Sequence, residues 1–96
     1  MKSNKLKSRK NKNIAVYPGS FDPITLGHVD IIKRLSVQYD EVIVLVSEST
    51  QKIHLFTAKE RKELIEQSMS DFKNVKVDIW NGLTVDYMRE ANSNVV

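Results

Sequence analysis

The apolar residues of this chain change between a strand-like and a helix-like spacing from one segment to the next. Residues 13–17 and 74–80 have the short apolar patterns of strands, and residues 41–47 form a nearly continuous apolar run. Such a run is typical of a strand that is buried on both faces in a parallel sheet. The pattern therefore predicts three strands, with the second one buried on both sides.

Two amphipathic segments separate these strands. The first, residues 29–39, carries one apolar stripe consisting of Ile31, Ile32, Leu35 and Tyr39. The second begins with Thr57-Ala58-Lys59-Glu60, a capping box that satisfies free backbone amides at a helix start. This helix is predicted to run to about residue 71, with an inward face of Leu64, Ile65, Met69 and Phe72. A short third helix over residues 84–92 and the start of a fourth strand at 94–96 complete the prediction.

The order of the elements defines the fold class. Strands that alternate with helices are joined by right-handed crossovers in a parallel sheet. The sequence thus predicts a Rossmann-like α/β domain over residues 13–96, with helices flanking the sheet. Few strands are present for a doubly wound sheet, so we expect a fold that is truncated at the start of its fourth strand.

Basic residues concentrate in the first 12 positions. This tail holds six of the 15 Lys and Arg residues, so a chain of formal net charge +3 has a domain of net charge −3. A segment of this composition is predicted to be disordered. A basic arm can bind the phosphates of nucleic acid. A solvated extension or a misassigned start codon is the alternative, and nucleic acid is not an expected partner.

The composition argues against several classes of protein. The chain has no cysteine, which leaves no disulfide framework or thiolate metal site and fits the expected cytoplasmic location. No apolar run approaches the ~20 residues of a membrane helix, so a membrane partner is not expected. No cluster of His, Asp and Glu has the spacing of metal ligands, so no protein-held metal is expected.

The segment YPGSFDPITLGH, residues 17–28, joins the first strand to the first helix. A glycine-containing turn between a strand and a helix start can hold a phosphate with its backbone N–H groups and the helix dipole. His28 begins the helix and can contact the same phosphate. Thr25 either contacts that phosphate or caps the helix.

This segment resembles the nucleotidyltransferase superfamily that carries an [HT]xGH motif, here Thr25-Leu26-Gly27-His28. Within it, YPGSFDPIT-x-GH is similar to the bacterial phosphopantetheine adenylyltransferases, and the resemblance extends from about residue 13 to the last residue. It implies transfer of the adenylyl group of ATP to 4′-phosphopantetheine, giving dephospho-coenzyme A and pyrophosphate by direct in-line attack. It also implies Mg²⁺ bound to ATP, a homohexamer, and a first strand at the centre of the sheet.

The resemblance assigns roles to five residues. His28 is implied to stabilise the transition state and to contact ATP. Ser20 is implied to contact both ATP and the acceptor phosphate, and Phe21 to contact ATP through its backbone N–H. Lys52 is implied to bind the acceptor phosphate. Thr84 is implied to contact the pantetheine arm, and capping of the third helix is its competing role.

Other polar and aromatic residues are expected to be structural. His54 is predicted to be exposed, and the charges of Lys59, Arg61 and Arg89 to be solvated. Trp80 and Tyr87 are predicted to pack rather than to stack on a ligand.

Two alternative functions stay open. One is a nucleotidyltransferase with another acceptor. The other is an inactive remnant or phosphate-binding fragment, because the Arg-Gly-Leu-Arg segment and the C-terminal nucleotide-binding segment of the resembled family are not among the 96 residues.

Overall fold

A computed structural model describes residues 13–48, 53–82, 86–87 and 94–95. The elements in chain order are β1 (Ile14–Gly19), α1 (Leu26–Gln38), β2 (Glu41–Ser47), α2 (Ala58–Ser68), β3 (Val75–Trp80) and β4 (Asn94–Val95). Residues 86 and 87 are helical. The basic tail and most of the predicted third helix lie outside the described residues.

The strands form one parallel sheet in the order β3-β2-β1-β4. β1 pairs with β2 along its whole length, and on its other side Ala15 and Val16 pair with β4. The predicted Rossmann-like sheet is confirmed, and so are its fourth strand and the central position of β1.

The crossover connections place both helices on one face of the sheet. The chain steps from β1 to β2 to β3 in one direction, so right-handed connections bring α1 and α2 to the same face. There Ile32 of α1 and Ile65 of α2 join one buried cluster with Val44 and Val46 of β2. The other face has a second cluster made up of Val16, Ile43 and Leu45, with Ile14, Trp80 and Tyr87 packed against it. Burial on both faces explains the unbroken apolar run of β2.

Helix α1 begins three residues earlier than predicted, because Thr25 is its N-cap and the Leu-Gly-His sequence forms the first turn. Ile32 and Leu35 are buried as predicted, but Ile31 is 39% exposed. The predicted inward position of Ile31 is therefore wrong. Adjacent helical residues point about 100° apart, so Ile31 and Ile32 cannot both face the centre of the sheet.

The capping box of α2 is confirmed. The Thr57 hydroxyl accepts the Glu60 N–H at 3.1 Å, and the Glu60 carboxylate accepts the Thr57 N–H at 2.9 Å. Helix α2 ends at Ser68 rather than near residue 71, with Met69 as its C-cap. Ile65 and Met69 are buried as predicted, whereas Leu64 and Phe72 are half-buried.

Candidate functional site

The turn between β1 and α1 lies at the carboxyl edge of the sheet, where open α/β folds bind their ligands. β1 ends at Gly19 and α1 begins at Leu26. The intervening residues 20–25 bring together Ser20, Phe21 and the start of the helix that carries His28. Three of the five predicted site residues are therefore neighbours.

Phe21 gives the turn its shape. Its backbone has φ = 48°, in the left-handed region, and its side chain is only 2% exposed. A bulky residue in that region stores about 1–3 kcal/mol of strain, so the surrounding contacts must hold it there. Its ring makes edge contacts with Tyr17 and His28, with centroids 5.3 Å and 5.0 Å away. A Cβ on Gly19 would lie 2.9 Å from the Phe21 ring, so glycine is needed at this approach.

His28 is held by Thr25. The Nδ1 atom of His28 accepts the backbone N–H of Thr25 at 3.0 Å and lies 3.1 Å from the Thr25 hydroxyl. That hydroxyl in turn accepts the His28 N–H at 3.3 Å, so the predicted capping role of Thr25 is confirmed and its contact with a phosphate stays a prediction. Because Nδ1 accepts a backbone N–H, the neutral imidazole carries its proton on Nε2. His28 therefore presents an N–H donor from its outer ring nitrogen.

The start of α1 adds a positive field to this site. The first backbone N–H groups of a helix lack intrahelical partners, and the helix dipole places about half a positive charge there. The first turn of α1 contains no acidic side chain that would neutralise that charge. Leu26 and Gly27 are exposed. The combination of main-chain donors and the His28 imidazole at one turn suits an anion.

Asp22 fastens the turn to the segment before α2. Its carboxylate accepts the backbone N–H groups of Leu55 and Phe56 at 2.6 Å and 2.9 Å, and lies 3.3 Å from Nδ1 of His54. Desolvation alone would raise the pKa of Asp22, but the two amides and His54 outweigh it and lower that pKa. The carboxylate also draws His54 into a half-buried position, so its predicted exposure is wrong.

Arg61 is a functional candidate that the sequence reasoning missed. Its side chain is 1% exposed, so the prediction of a solvated charge is wrong. Nη1 donates to the carbonyl oxygens of Ser20 at 2.7 Å and Ser47 at 3.0 Å, and Nε donates to that of Phe56 at 3.1 Å. These bonds compensate the cost of burying the charge. The sequence feature that could have revealed its burial is its position on the same helical face as Ala58 and Ile65.

We expect Asp22→Asn to change the pH dependence of stability. A carboxyl group with a lowered folded pKa stabilises the protein above its unfolded pKa, and that contribution is lost as the pH falls through the folded value. The wild type should therefore lose melting temperature progressively as the pH falls below about 5. The asparagine variant should melt lower at pH 7 and show a flatter acid limb, measured by circular dichroism.

The exposed Asp71→Asn is the control for this experiment and should keep the wild-type pH profile. An Asp22→Asn variant with the wild-type melting temperature at pH 7 would contradict the role assigned to this carboxylate.

Four other residues were assigned a role from the sequence, and the structure describes two of them. Lys52 and Thr84 lie outside the described residues, so their roles stay predictions. Trp80 and Tyr87 pack edge-to-face with ring centroids 5.3 Å apart, and the Tyr87 hydroxyl donates to Asp78 at 3.0 Å. Their predicted packing is confirmed.

The described part of the chain has neither a metal-binding cluster nor a membrane-spanning helix. Within residues 13–48, 53–82, 86–87 and 94–95, no group of three or more His, Cys, Asp or Glu side chains could hold a metal ion. In that same part of the chain, no helix has the length and apolar character needed to cross a bilayer.

Sequence comparison finds relatives with one shared name. The phosphopantetheine adenylyltransferase of Bdellovibrio bacteriovorus is 65% identical over 83 residues, which cover 86% of this chain and 52% of the relative. That of Syntrophus aciditrophicus is 54% identical over 85 residues, covering 88% of this chain and 52% of the relative. The chain thus spans about half the length of the curated relatives it matches.

Structure comparison finds nucleotide-binding proteins. The NadR protein in complex with NAD and AMP-PNP has a TM-score of 0.66 at 25% identity, covering 84% of this chain and 25% of its own. The Plasmodium falciparum nicotinic acid mononucleotide adenylyltransferase complexed with NaAD has a TM-score of 0.67 at 21% identity, covering 88% of this chain and 49% of its own. The second likeness shows the fold alone.

The sequence profile of a single family covers most of the chain. The cytidylyltransferase-like profile matches residues 16–96, a span that begins in β1 and includes the turn, His28 and every later element. The chain therefore belongs to the cytidylyltransferase-like family.

Proposed function

We propose that this chain is the N-terminal portion of a phosphopantetheine adenylyltransferase, which transfers the adenylyl group of ATP to 4′-phosphopantetheine. The products are dephospho-coenzyme A and pyrophosphate. The observation that carries this proposal is the turn that brings Ser20, Phe21 and His28 together, in a chain 65% identical to a relative of that name.

The reaction moves one phosphoryl centre between two oxygens. An oxygen of the acceptor phosphate attacks the α-phosphorus of ATP, the bond from that phosphorus to the bridging oxygen breaks, and pyrophosphate leaves. Most of the catalysis in such a transfer comes from positioning and from stabilising charge on the equatorial oxygens. In this proposal the Nε2–H of His28 and the N–H of Phe21 donate to those oxygens.

The acceptor is held by other groups in the same proposal. The Ser20 hydroxyl contacts both substrates, and Lys52 follows the acceptor phosphate as a mobile point charge. Thr84 contacts the pantetheine arm. Magnesium enters as part of the Mg·ATP substrate, which suits an ion that keeps several waters and binds substrate phosphates.

Cytoplasmic location and a homohexamer belong to the same proposal. Both rest on the resemblance to the bacterial enzymes. Light scattering on the full-length protein would test the assembly, and a mass of one or two subunits would contradict the hexamer.

A second candidate is adenylyl transfer to a different acceptor. The fold by itself leaves this candidate open, because a protein named as a nicotinic acid mononucleotide adenylyltransferase superposes on this chain with a TM-score of 0.67. The pocket for the acceptor therefore has to be tested separately from the site for ATP.

Pyrophosphate release measured with a panel of acceptors tests both candidates. The enzyme to use is a chimera in which residues 1–96 are continued by the C-terminal half of the Bdellovibrio relative. We expect turnover with 4′-phosphopantetheine and none with nicotinic acid mononucleotide. The opposite preference would favour the second candidate, and a folded chimera that is inactive with both would overturn the proposal. Turnover by the 96-residue chain alone would remove the alternative of an inactive fragment.

A further inference from the structure

We infer that Arg61 is a positioning residue that sets the orientation of the peptide group between Ser20 and Phe21. This inference rests on the proposed function, because the amide it orients is the one that would face the nucleotide. Arg61 itself is buried beneath the turn and acts through the main chain rather than by touching substrate.

The orientation follows from one hydrogen bond and the planarity of the peptide. Nη1 of Arg61 donates to the Ser20 carbonyl oxygen at 2.7 Å, a short, charge-assisted contact. In a trans peptide the C=O and the next N–H point in opposite directions. The cis bond in this turn lies two peptide bonds later, between Asp22 and Pro23, and the Ser20–Phe21 peptide is trans. Drawing the Ser20 oxygen toward Arg61 therefore turns the Phe21 N–H away from it.

The Phe21 amide is left available by this arrangement. Among the hydrogen bonds formed within the described part of the chain, none uses the Phe21 N–H as a donor. A flipped peptide would instead direct the Ser20 carbonyl oxygen toward the incoming anion and withdraw the donor. Arg61 disfavours that flip, because the buried guanidinium would lose its closest acceptor.

Two further hydrogen bonds hold the Arg61 guanidinium in place beneath the turn. The same Nη1 donates to the Ser47 carbonyl at the end of β2, and Nε donates to the Phe56 carbonyl before α2. Asp22 holds the turn to residues 55 and 56 by accepting their amides. Asp22 holds the turn through its own side chain, whereas Arg61 hydrogen-bonds to the carbonyl of the Ser20–Phe21 peptide itself.

The sequence allows that amide to be observed by itself. The chain has three phenylalanines, and Ser20-Phe21 is its one Ser-Phe pair. With a ¹³C label on serine carbonyls and ¹⁵N on phenylalanine, an HNCO spectrum of the 96-residue chain gives one correlation, which reports both atoms of this peptide. A parallel ¹⁵N spectrum shows Phe56 and Phe72 as internal references.

The experiment is a titration of this sample with Mg·ATP. In the wild type we expect the Phe21 amide to shift progressively while Phe72 stays in place. Arg61→Met keeps most of the side-chain volume but removes every donor. It should move the Ser20 carbonyl carbon upfield and weaken the apparent affinity about tenfold or more, as expected for loss of a charged hydrogen bond. Lys59→Ala removes an exposed charge from the same helix and should titrate like the wild type.

Arg61→Lys keeps the inference falsifiable if the methionine variant does not fold. If its ammonium preserves the wild-type Ser20 carbonyl shift, the Phe21 response must be preserved as well, and if that shift is lost, the response must be lost. Any folded variant in which the two disagree overturns the inference.

The outcomes also separate this inference from the proposed function. A wild-type Phe21 that responds, with an Arg61→Met variant that responds at the same midpoint, removes the role of Arg61 and leaves the site intact. A wild-type Phe21 that is unmoved by Mg·ATP overturns the inference about Arg61, whereas the proposed function is decided by the turnover of the chimera.

Discussion

Replacing His28 by alanine in the full-length chimera is expected to lower kcat by about 10²–10³-fold, with a much smaller change in KM for ATP. The physical reason is the hydrogen bond from Thr25 N–H to Nδ1, which leaves the Nε2–H as a donor on the outer side of the ring. A donor aimed at charge that develops in the transition state contributes more to the rate than to ground-state binding. Initial rates of pyrophosphate release over a range of ATP concentrations measure both constants.

Two variants serve as comparisons for His28→Ala. His28→Gln retains an N–H donor at a similar distance from the backbone, but on a more flexible side chain, and should lie between the wild type and alanine. Arg34→Ala removes an exposed charge from the same helix, where it pairs with Asp30 at 3.2 Å, and should leave both constants near their wild-type values. Turnover by His28→Ala within threefold of the wild type (~0.7 kcal/mol) would refute the assignment.

Phe21→Ala is expected to destabilise the fold by about 3–5 kcal/mol, the usual cost of truncating a buried aromatic residue. The ring is 2% exposed and packs against Tyr17 and His28, so its loss leaves a cavity beneath the site. This loss is large beside the 5–15 kcal/mol that typically separates folded from unfolded domains. Urea denaturation followed by circular dichroism measures it.

Glycine at the same position provides a sharper test. Phe21 has φ = 48°, where alanine is strained by roughly 1 kcal/mol relative to glycine. Phe21→Gly should therefore be at least as stable as Phe21→Ala, the reverse of their order within a helix. Phe72→Ala, at a half-buried position, should cost less than either. A glycine variant clearly less stable than the alanine variant would show that the backbone is not left-handed there.

The helices and strands could be predicted from the sequence where a local pattern of residues determines them. Residues 41–47 form β2 with the predicted bounds, because a strand covered on both faces requires an unbroken apolar run. The capping box of Thr57 and Glu60 is a local pattern and forms as predicted. Ile31 was misplaced because periodicity alone does not say which of two adjacent isoleucines faces the sheet.

Part of the candidate site could be predicted from the sequence. Ser20, Phe21 and His28 were identified through the resemblance of their motif, and the structure brings them together. The left-handed backbone of Phe21 could not be predicted, since a bulky side chain gives no signal for that conformation.

The contacts between residues far apart in the sequence could not be predicted. Asp22 binds amides 33 and 34 positions away, and Arg61 binds the Ser20 carbonyl across 41 positions. Both depend on how the crossovers bring the strand ends together. The default expectation for an arginine on a helix is a solvated charge.

The position of β1 between β2 and β4 places the turn after β1 at the junction between the two sides of the sheet. The chain adds its first strands on one side of β1 and then returns to add β4 on the other side, so β1 lies at a topological switch point. Connections that leave neighbouring strands at such a point diverge to opposite faces and open a cleft between them. In the proposed full-length enzyme, we expect a nucleotide seated over Ser20 to lie beside the polypeptide that continues from β4. Substitutions in that continuing segment should then alter nucleotide binding before they alter the sheet.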